Sequence, residues 1–271
     1  MFERLEKRIV VEYEVKAESD LHIGSGGSTT PNSVDLPVIK NAEGYPIIPG
    51  SSLKGVLRSE LQKLLNTQFG ELSIDAYASK SDTNPQHVRK AEMHTSELFG
   101  GEIVVQEDGK NIVRSVAGSI RVRDAKANAK KTRIRDGVKI NINTRKAEGG
   151  AKFEIEVVPC GTLFNGEIYI ENPRLGDKEY GKLGALLATI DFFNATTRAL
   201  GGATSRGFGE VEIVVKKVKE FTPEDYLAGN LNGNELEEKV LKEAKEQWKE
   251  YILGRDKKAT GDINGTKRGG G

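Results

Sequence analysis

Residues 21–65 read LHIGSGGSTTPNSVDLPVIKNAEGYPIIPGSSLKGVLRSELQKLL and pass through three kinds of chain in turn. A strand ends at His22. A loop of Gly, Ser, Thr, Pro and Asn follows over 24–34. One carboxylate, Asp35, stands in VDLPVIK, and PGSSLKG then opens a helix. Val34 to Ile39 is short, apolar and extended, with Pro37 pointing to an edge or irregular piece. Glu43-Gly44 turns the chain, and Tyr45 to Ile48 is extended again. Ser51 or Ser52 is expected to cap the helix. Its apolar positions Leu53, Val56, Leu57, Leu61, Leu64 and Leu65 recur at spacings of three and four, with Lys54, Arg58 and Gln62 on the polar side.

Upstream, Arg8 to Leu21 alternates Ile9, Val11, Tyr13, Val15 and Ala17 against Glu12, Glu14 and Lys16, the pattern of a half-buried strand. Downstream, residues 71–95 are polar and read as an insertion or loop. Ile112 to Arg123 reads as a strand, as do Phe153 to Val158 and Gly161 to Ile170. Lys182 to Leu200 reads as a helix stopped by Gly201. GGATSRGFG at 201–209 leads into a strand over Glu210 to Val218. Thr222-Pro223-Glu224-Asp225 starts a short helix, and Asn234 to Leu253 a longer one ended by Gly254. Residues 254–271 are charged and Gly-rich and are expected to form a disordered tail. The order strand, helix, strands, helix, strand is that of an α+β, ferredoxin-like sheet with insertions.

Composition narrows the chemistry. The 271 residues carry a net charge of only +1, so total charge names no partner. One cysteine, Cys160, rules out an internal disulfide and any zinc site made of several thiolates. The N-terminal segment lacks the apolar core of a signal peptide, and no apolar run approaches the ~20 residues of a spanning helix. A soluble, cytoplasmic protein without membrane attachment is expected. The charge is uneven, however. Residues 121–152 hold eleven Lys or Arg against three acids, a local +8 that leaves about −7 for the rest. A charge run is usually a solvated face, but this imbalance favours a polyanion, and hence nucleic acid. No aromatic lies in that arm, so base stacking there is not expected, although Ile134, Val138 or Ile140 can wedge between bases.

Single motifs leave alternatives open. PGSSLKG places free N–H groups, two hydroxyls and Lys54 at a helix start, which suits a phosphate or describes a capped helix and nothing more. GGATSRGFG follows a helix and precedes a strand, the reverse of a dinucleotide loop, so no nucleotide cofactor is expected. Its glycines either let a backbone approach a ligand, with Arg206 beside it, or merely end a helix and turn. Asp35 alone reads as a turn residue; as a functional group it is enough for one Mg²⁺ shared with substrate phosphate, and too little for a two-metal site. His22 reads as a contact rather than a base.

HIGSG, D-x-PVIK, G-x-P-x-IPGSSLKG-x-x-R and TSRGFGEVEI occur in this order. Together they resemble the RAMP superfamily, and within it the Cas-seven-group (Csm/Cmr-type) backbone subunits of type III CRISPR effector complexes. The resemblance covers 18–65, roughly 112–170 and 181–216. It implies one RAMP domain over 1–253: a modified ferredoxin-like, RRM-like palm, an insertion at about 71–100, a thumb β-hairpin at about 121–155 and a helical extension over 222–253. It implies CRISPR RNA and target RNA as ligands. Copies of the chain or paralogous RAMP subunits would be its neighbours in a filament, together with a small subunit and a polymerase-like large subunit. It assigns RNA cutting to Asp35 with a divalent metal (Mg or Mn). Some members carry a Cys/His zinc site in the insertion, which Cys160 alone cannot provide, so no zinc is expected here. The resemblance assigns RNA contact to His22, Ser51, Ser52, Lys54 and Arg58, and to Arg206, Gly207 and Gly209. Within the thumb, Arg133, Arg135, Lys139 and Arg145 are the candidate contacts. The alternatives are a scaffold that binds guide RNA without cutting and, less in keeping with a lone His22, a stand-alone RNA processor.

Overall fold

The alternation read from Arg8 onward puts Ile9, Val11, Tyr13, Val15 and Ala17 on the buried side of a strand in the computed structural model, which describes residues 4–26, 34–69, 90–107, 110–140 and 147–264. This strand, β1 (Arg8–Ala17), is followed by β2 (Ile47–Ile48), α1 (Gly50–Phe69), α2 (Lys90–Phe99), β3 (Gly101–Glu107) and β4 (Lys110–Val116). Next come β5 (Ile120–Val122), β6 (Ala125–Ala127), β7 (Arg133–Ile140), β8 (Ala147–Val157) and β9 (Leu163–Glu171). The chain continues with α3 (Gly181–Thr196), β10 (Val211–Phe221), α4 (Pro223–Leu227), β11 (Asn234–Glu235) and α5 (Glu238–Asn264).

The fold is α+β. Strands pair antiparallel in the order β11-β10-β1-β9-β6-β2, with β5 also on β9. The central strand β1 therefore takes one neighbour, β9, from about 155 residues later, through Arg8↔Glu171 to Lys16↔Leu163. It takes the other, β10, from about 200 residues later, through Arg8↔Phe221 to Ala17↔Val211. Two hairpins, β3–β4 and β7–β8, stand outside this sheet.

The inner face of the sheet shares one core with the helices. Leu53, Leu57, Leu61 and Leu65 of α1 and Leu183, Leu186, Ile190 and Phe193 of α3 are buried in it. Helix α3 is buried almost all round, because α5 lays Ala244, Trp248, Tyr251 and Ile252 over its other side. The α3–α5 contact and the seat of α1 on β5 both rest on close backbone approach. A Cβ on Gly184 would lie 1.9 Å from Ala244 O, and one on Gly50 would lie 2.1 Å from Val122 O. The outer face of β1, β9 and β10 is instead a ladder of ion pairs: Arg8–Glu171–Arg121, Arg123–Glu167, Lys219–Glu12 and Lys216–Glu14.

Several expected boundaries move. Lys90–Phe99 is helical where a loop through residue 95 was expected, and 70–89 lie outside the described residues. The strand expected over Ile112–Arg123 is broken, because Gly118 packs against Phe99 and Gly100 backbone and turns the chain. Residues 121–127, expected in the basic arm, belong with Ile120 to β5 and β6, which pair with β9 and β2 in the main sheet. Helix α3 ends at Thr196, before Gly201, as β-branched Thr196 and Thr197 give way to Arg198 at φ +45°. The last helix starts at Glu238, since Asn234–Glu235 pairs with β10, and it runs through Gly254 to Asn264. One glycine costs a helix only about 1 kcal/mol, so the expected stop at Gly254 and the disordered tail from that residue are corrected as far as Asn264. The helix start expected at Thr222-Pro223 is present, and the structure adds a capping box: Thr222 and Asp225 exchange side-chain and backbone bonds. Among the described residues no helix is long and apolar enough to cross a membrane.

Gly184→Ala should force α3 and α5 apart and lower stability by about 1–3 kcal/mol. Urea unfolding reads this as a lower midpoint; an unchanged midpoint would mean that α5 is not docked at this point.

Candidate nucleic-acid interface

The segment carrying Asp35 belongs to no regular strand, yet β8 holds it. The Leu36 N–H donates to Glu154 O at 3.1 Å, and the Glu156 N–H donates to Leu36 O at 2.9 Å, a parallel bridge at Leu36↔Ile155. Asp35 itself is exposed. Its Oδ2 accepts the Glu154 N–H at 2.8 Å, and Oδ1 accepts no bond among the described residues. His22 is buried beside this segment. Its Nδ1 lies 2.8 Å from Glu156 O and can only donate to that carbonyl. Nε2 faces the Gly24 backbone, 3.1 Å from where a Cβ would stand.

The Gly-rich loop closes over the same histidine. Gly202 N–H donates to His22 O at 2.8 Å, and Gly209 N–H to Asp20 O at 2.8 Å. A Cβ on Gly201 would lie 2.4 Å from His22 O, and one on Gly209 would lie 2.2 Å from Leu200 O, so both glycines serve close packing. Gly207 is different: its φ of +84° demands glycine while the space around it is open. Arg206, on a 3₁₀ turn over Thr204–Arg206, is exposed.

Helix α1 begins differently from the expectation. Neither Ser51 nor Ser52 caps it. The helix starts at Gly50, whose N–H donates to Asp124 Oδ1 at 2.8 Å, because Gly50 sits directly on the β5–β6 backbone where Asp124 is at hand. Ser51 is exposed and Ser52 half-buried in the first turn. One turn on, Lys54 is held below the ordinary lysine pKa, first by partial burial and then by the charges of Arg58 and Arg121. Among the described residues no carboxylate pairs with Lys54 or Arg58. A helix start with uncompensated cations beside it attracts anions.

The hairpin β7–β8 carries the remaining basic candidates, and here the structure adds partners that the sequence does not show. Arg133 and Arg135 both bind the buried carboxylate of Asp20; the Arg133 contact is very short, and Arg135 Nε reaches Oδ2 at 2.7 Å. The Arg135 guanidinium also lies over the Phe208 ring, 5.8 Å from its centre. Both arginines remain half-exposed, but their heads are engaged in fixing the hairpin to the sheet. The opposite face of β7 shows Ile134 and Val138 to solvent, 55% and 51% exposed. Lys139 lies on β7, and Arg145 lies outside the described residues. Sequence reading missed Asp20, Asp124 and Glu156. Each reads as an ordinary surface acid, and only tertiary contact gives it a partner.

A profile of the RAMP superfamily matches residues 14–212. The chain belongs to the RAMP superfamily. This RAMP protein is similar to the "CRISPR system Cms endoribonuclease Csm3" of Methanocaldococcus jannaschii, at 28% identity over 87% of this chain and 90% of the relative. The protein of the same name from Mycobacterium tuberculosis is 27% identical over 80% of this chain and 88% of its own length. That of Streptococcus thermophilus is 28% identical over 87% and 98%.

For a divalent metal the donor set is sparse. Among the described residues no three of His, Cys, Asp and Glu come together to hold an ion. One exposed carboxylate with a free oxygen does fit Mg²⁺ that keeps most of its waters and shares substrate phosphate. Asp35 would be the protein's ligand to such an ion.

The Asp20 clamp has a pH signature. Burial would raise its pKa, but Arg133, Arg135 and the Cys160 N–H outweigh that and hold it below the ordinary aspartate value. The unfolded chain, titrating near about 3.9, then binds a proton that the folded protein does not. The stabilisation is therefore present above that pH and is lost as pH falls through the folded value. Asp20→Asn should cost about 1.5–3 kcal/mol at neutral pH. Denaturant titrations between about pH 5 and 3 should show a shallower stability slope in the variant than in the wild type; equal slopes would remove the clamp.

Proposed function

We propose that this chain is a guide-RNA-binding backbone subunit of a type III CRISPR effector complex that cuts the target RNA paired to the guide, with Asp35 as the cutting residue. The observation that carries this reading is the placement of Asp35: exposed, oriented by the Glu154 N–H, and attached to the base of a protruding hairpin. The naming of similar proteins as Csm3 endoribonucleases supports it. In this reading the sheet and helices form the ferredoxin-like palm, and β7–β8 is the thumb. Copies of the chain or its paralogues, a small subunit and a polymerase-like subunit complete the assembly in the cytoplasm.

The division of labour follows from charge. Lys54 and Arg58 face no carboxylate among the described residues, so a guide phosphate near Ser51 and Ser52 gains two cations and the hydroxyls of the first helical turn. Arg206 and the open backbone at Gly207 add a second wall. The exposed Ile134 and Val138 present an apolar edge that can enter the base stack and distort the duplex. In a distorted strand the target's own 2′-oxygen attacks the adjacent phosphorus and the bond to the 5′-oxygen breaks. The 2′-hydroxyl proton is lost and the 5′-oxygen gains one, leaving a 2′,3′-cyclic phosphate and a 5′-hydroxyl. Such in-line geometry supplies most of the acceleration. A divalent ion would stabilise the charge developing on the phosphate. Asp35 would hold that ion, and His22, its Nδ1 bonded to Glu156 O, is fixed beside the Asp35 segment.

A guide-binding scaffold without cutting is the second reading, favoured because among the described residues no group of three His, Cys, Asp or Glu gathers at Asp35. In the reconstituted complex, Asp35→Ala should slow single-turnover target cleavage by at least about 100-fold with guide binding unchanged. Chelation of divalent ions should do the same. Cleavage at wild-type rate and position by Asp35→Ala would leave the scaffold reading. Separately, Lys54→Ala and Arg58→Ala should each lower the salt slope of guide binding by about 1; an unchanged slope would place the guide elsewhere.

A further inference from the structure

We infer that Glu156 is a positioning residue that sets the aim of Asp35. The inference rests on the reading of Asp35 as the cutting residue and adds a second residue to the same site.

Glu156 is a buried carboxylate near the end of β8. Each of its polar atoms is in use, and each partner belongs to a part of the site. Its N–H donates to Leu36 O at 2.9 Å, and its carbonyl accepts from His22 Nδ1 at 2.8 Å. Carboxylate Oε2 accepts the Val38 N–H at 3.0 Å. Oε1 accepts Lys40 Nζ at 2.5 Å and Thr132 Oγ1 at 2.6 Å. One residue thus ties together alternate positions of the Asp35 segment, the buried histidine and the residue before β7.

Stability alone does not call for a carboxylate here. Removing one from water costs several kcal/mol, and an apolar side chain in such a place is often neutral or better. What a charged acceptor adds is direction. Val38 N–H and Lys40 approach from the Asp35 segment and Thr132 from the chain before β7, and a carboxylate with two acceptor oxygens meets all three. Without it, the Asp35 segment keeps its backbone bonds, from Leu36 to β8, from Ser25 N–H to Pro37 O and from Ile39 N–H to Ile23 O, and loses the carboxylate tethers at Val38 N–H and Lys40. The side of the segment that faces β8 beyond Leu36 is then untethered, and Asp35 is aimed less tightly. Burial would raise the Glu156 pKa, but Lys40, Thr132 and the Val38 N–H lower it by more, so the group stays ionised at neutral pH.

The test uses the reconstituted complex with guide RNA and saturating complementary target. Glu156→Gln keeps the shape but sets an amide NH₂ against donors. It should slow single-turnover cleavage about 10- to 100-fold, with cut positions unchanged and target affinity within twofold of wild type. Hydrogen exchange of the Val38 amide should be faster. Lys40→Met, a change at a partly exposed partner, should slow cleavage about 3- to 10-fold. If Asp35→Ala is inactive while both variants cut within twofold of wild type, Glu156 does not position Asp35. A loss of affinity with an unchanged rate at saturation would also overturn the inference, since it marks a purely structural role. Should Glu156→Gln fail to assemble, Lys40→Met and Thr132→Val decide, and wild-type rates in both overturn it. If Asp35→Ala itself cuts at the wild-type rate, the reading of Asp35 falls and this inference falls with it.

Discussion

Two carboxylates that cannot face water stand where the β7–β8 hairpin leaves the sheet. Asp20, just past the end of β1, binds Arg133, Arg135 and the Cys160 N–H. Glu156 on β8 binds Lys40, Thr132 and Val38. A buried charge whose partners are incomplete costs several kcal/mol, so neither acid tolerates movement of the groups around it. That intolerance makes the hairpin a rigid projection. It also brings the Asp35 segment, which has no ladder of its own, to a defined place beside the hairpin's base.

The distribution of charge makes sense of the near-neutral total. The acids that offset the basic segment 121–152 are not spread evenly over the body. Many stand opposite lysines and arginines on the outer face of the sheet, where Glu171 serves both Arg8 and Arg121 and Glu12 serves Lys219. Exposed pairs of this kind add little stability, about 0–1 kcal/mol each, but they cancel the field of that face. Among the described residues, the cations at the start of α1 have no such company. A polyanion would meet a neutralised sheet face and an attractive helix start, a local contrast that steers its approach.

How far the sequence shows this depends on the range of each interaction. The period-two pattern of β1, the spacing of leucines in α1 and the helix start at Thr222-Pro223 are local, and all three are present where the residues indicate. The ordered motifs from HIGSG to TSRGFGEVEI locate the family as well. Features formed by distant residues are not legible. Arg133 and Arg135 look like free cations because Asp20 lies more than a hundred residues away in the chain. Glu154 and Glu156 alternate with Phe153, Ile155 and Val157 as solvent-facing acids on a strand should, yet Glu156 is buried. The expectation of a basic arm from residue 121 summed charge across a boundary, because 120–127 pair into the main sheet. Nor do Thr196 and Gly254 announce their roles, since a weak helix former ends α3 while a glycine fails to end α5.

The central position of β1 has a bearing on biosynthesis. The strand is translated before both of its neighbours, and about 190 residues separate its end at Ala17 from its partner Val211. At roughly 5–20 residues per second, the strand waits on the order of 10–40 s for that partner. During that time an apolar strand with two open edges invites pairing with other nascent chains. Glu12, Glu14 and Lys16, whose folded role is a set of weak surface ion pairs, interrupt the apolar run while it waits. The same charges that quiet the outer face of the finished sheet thus guard its first strand before there is a sheet.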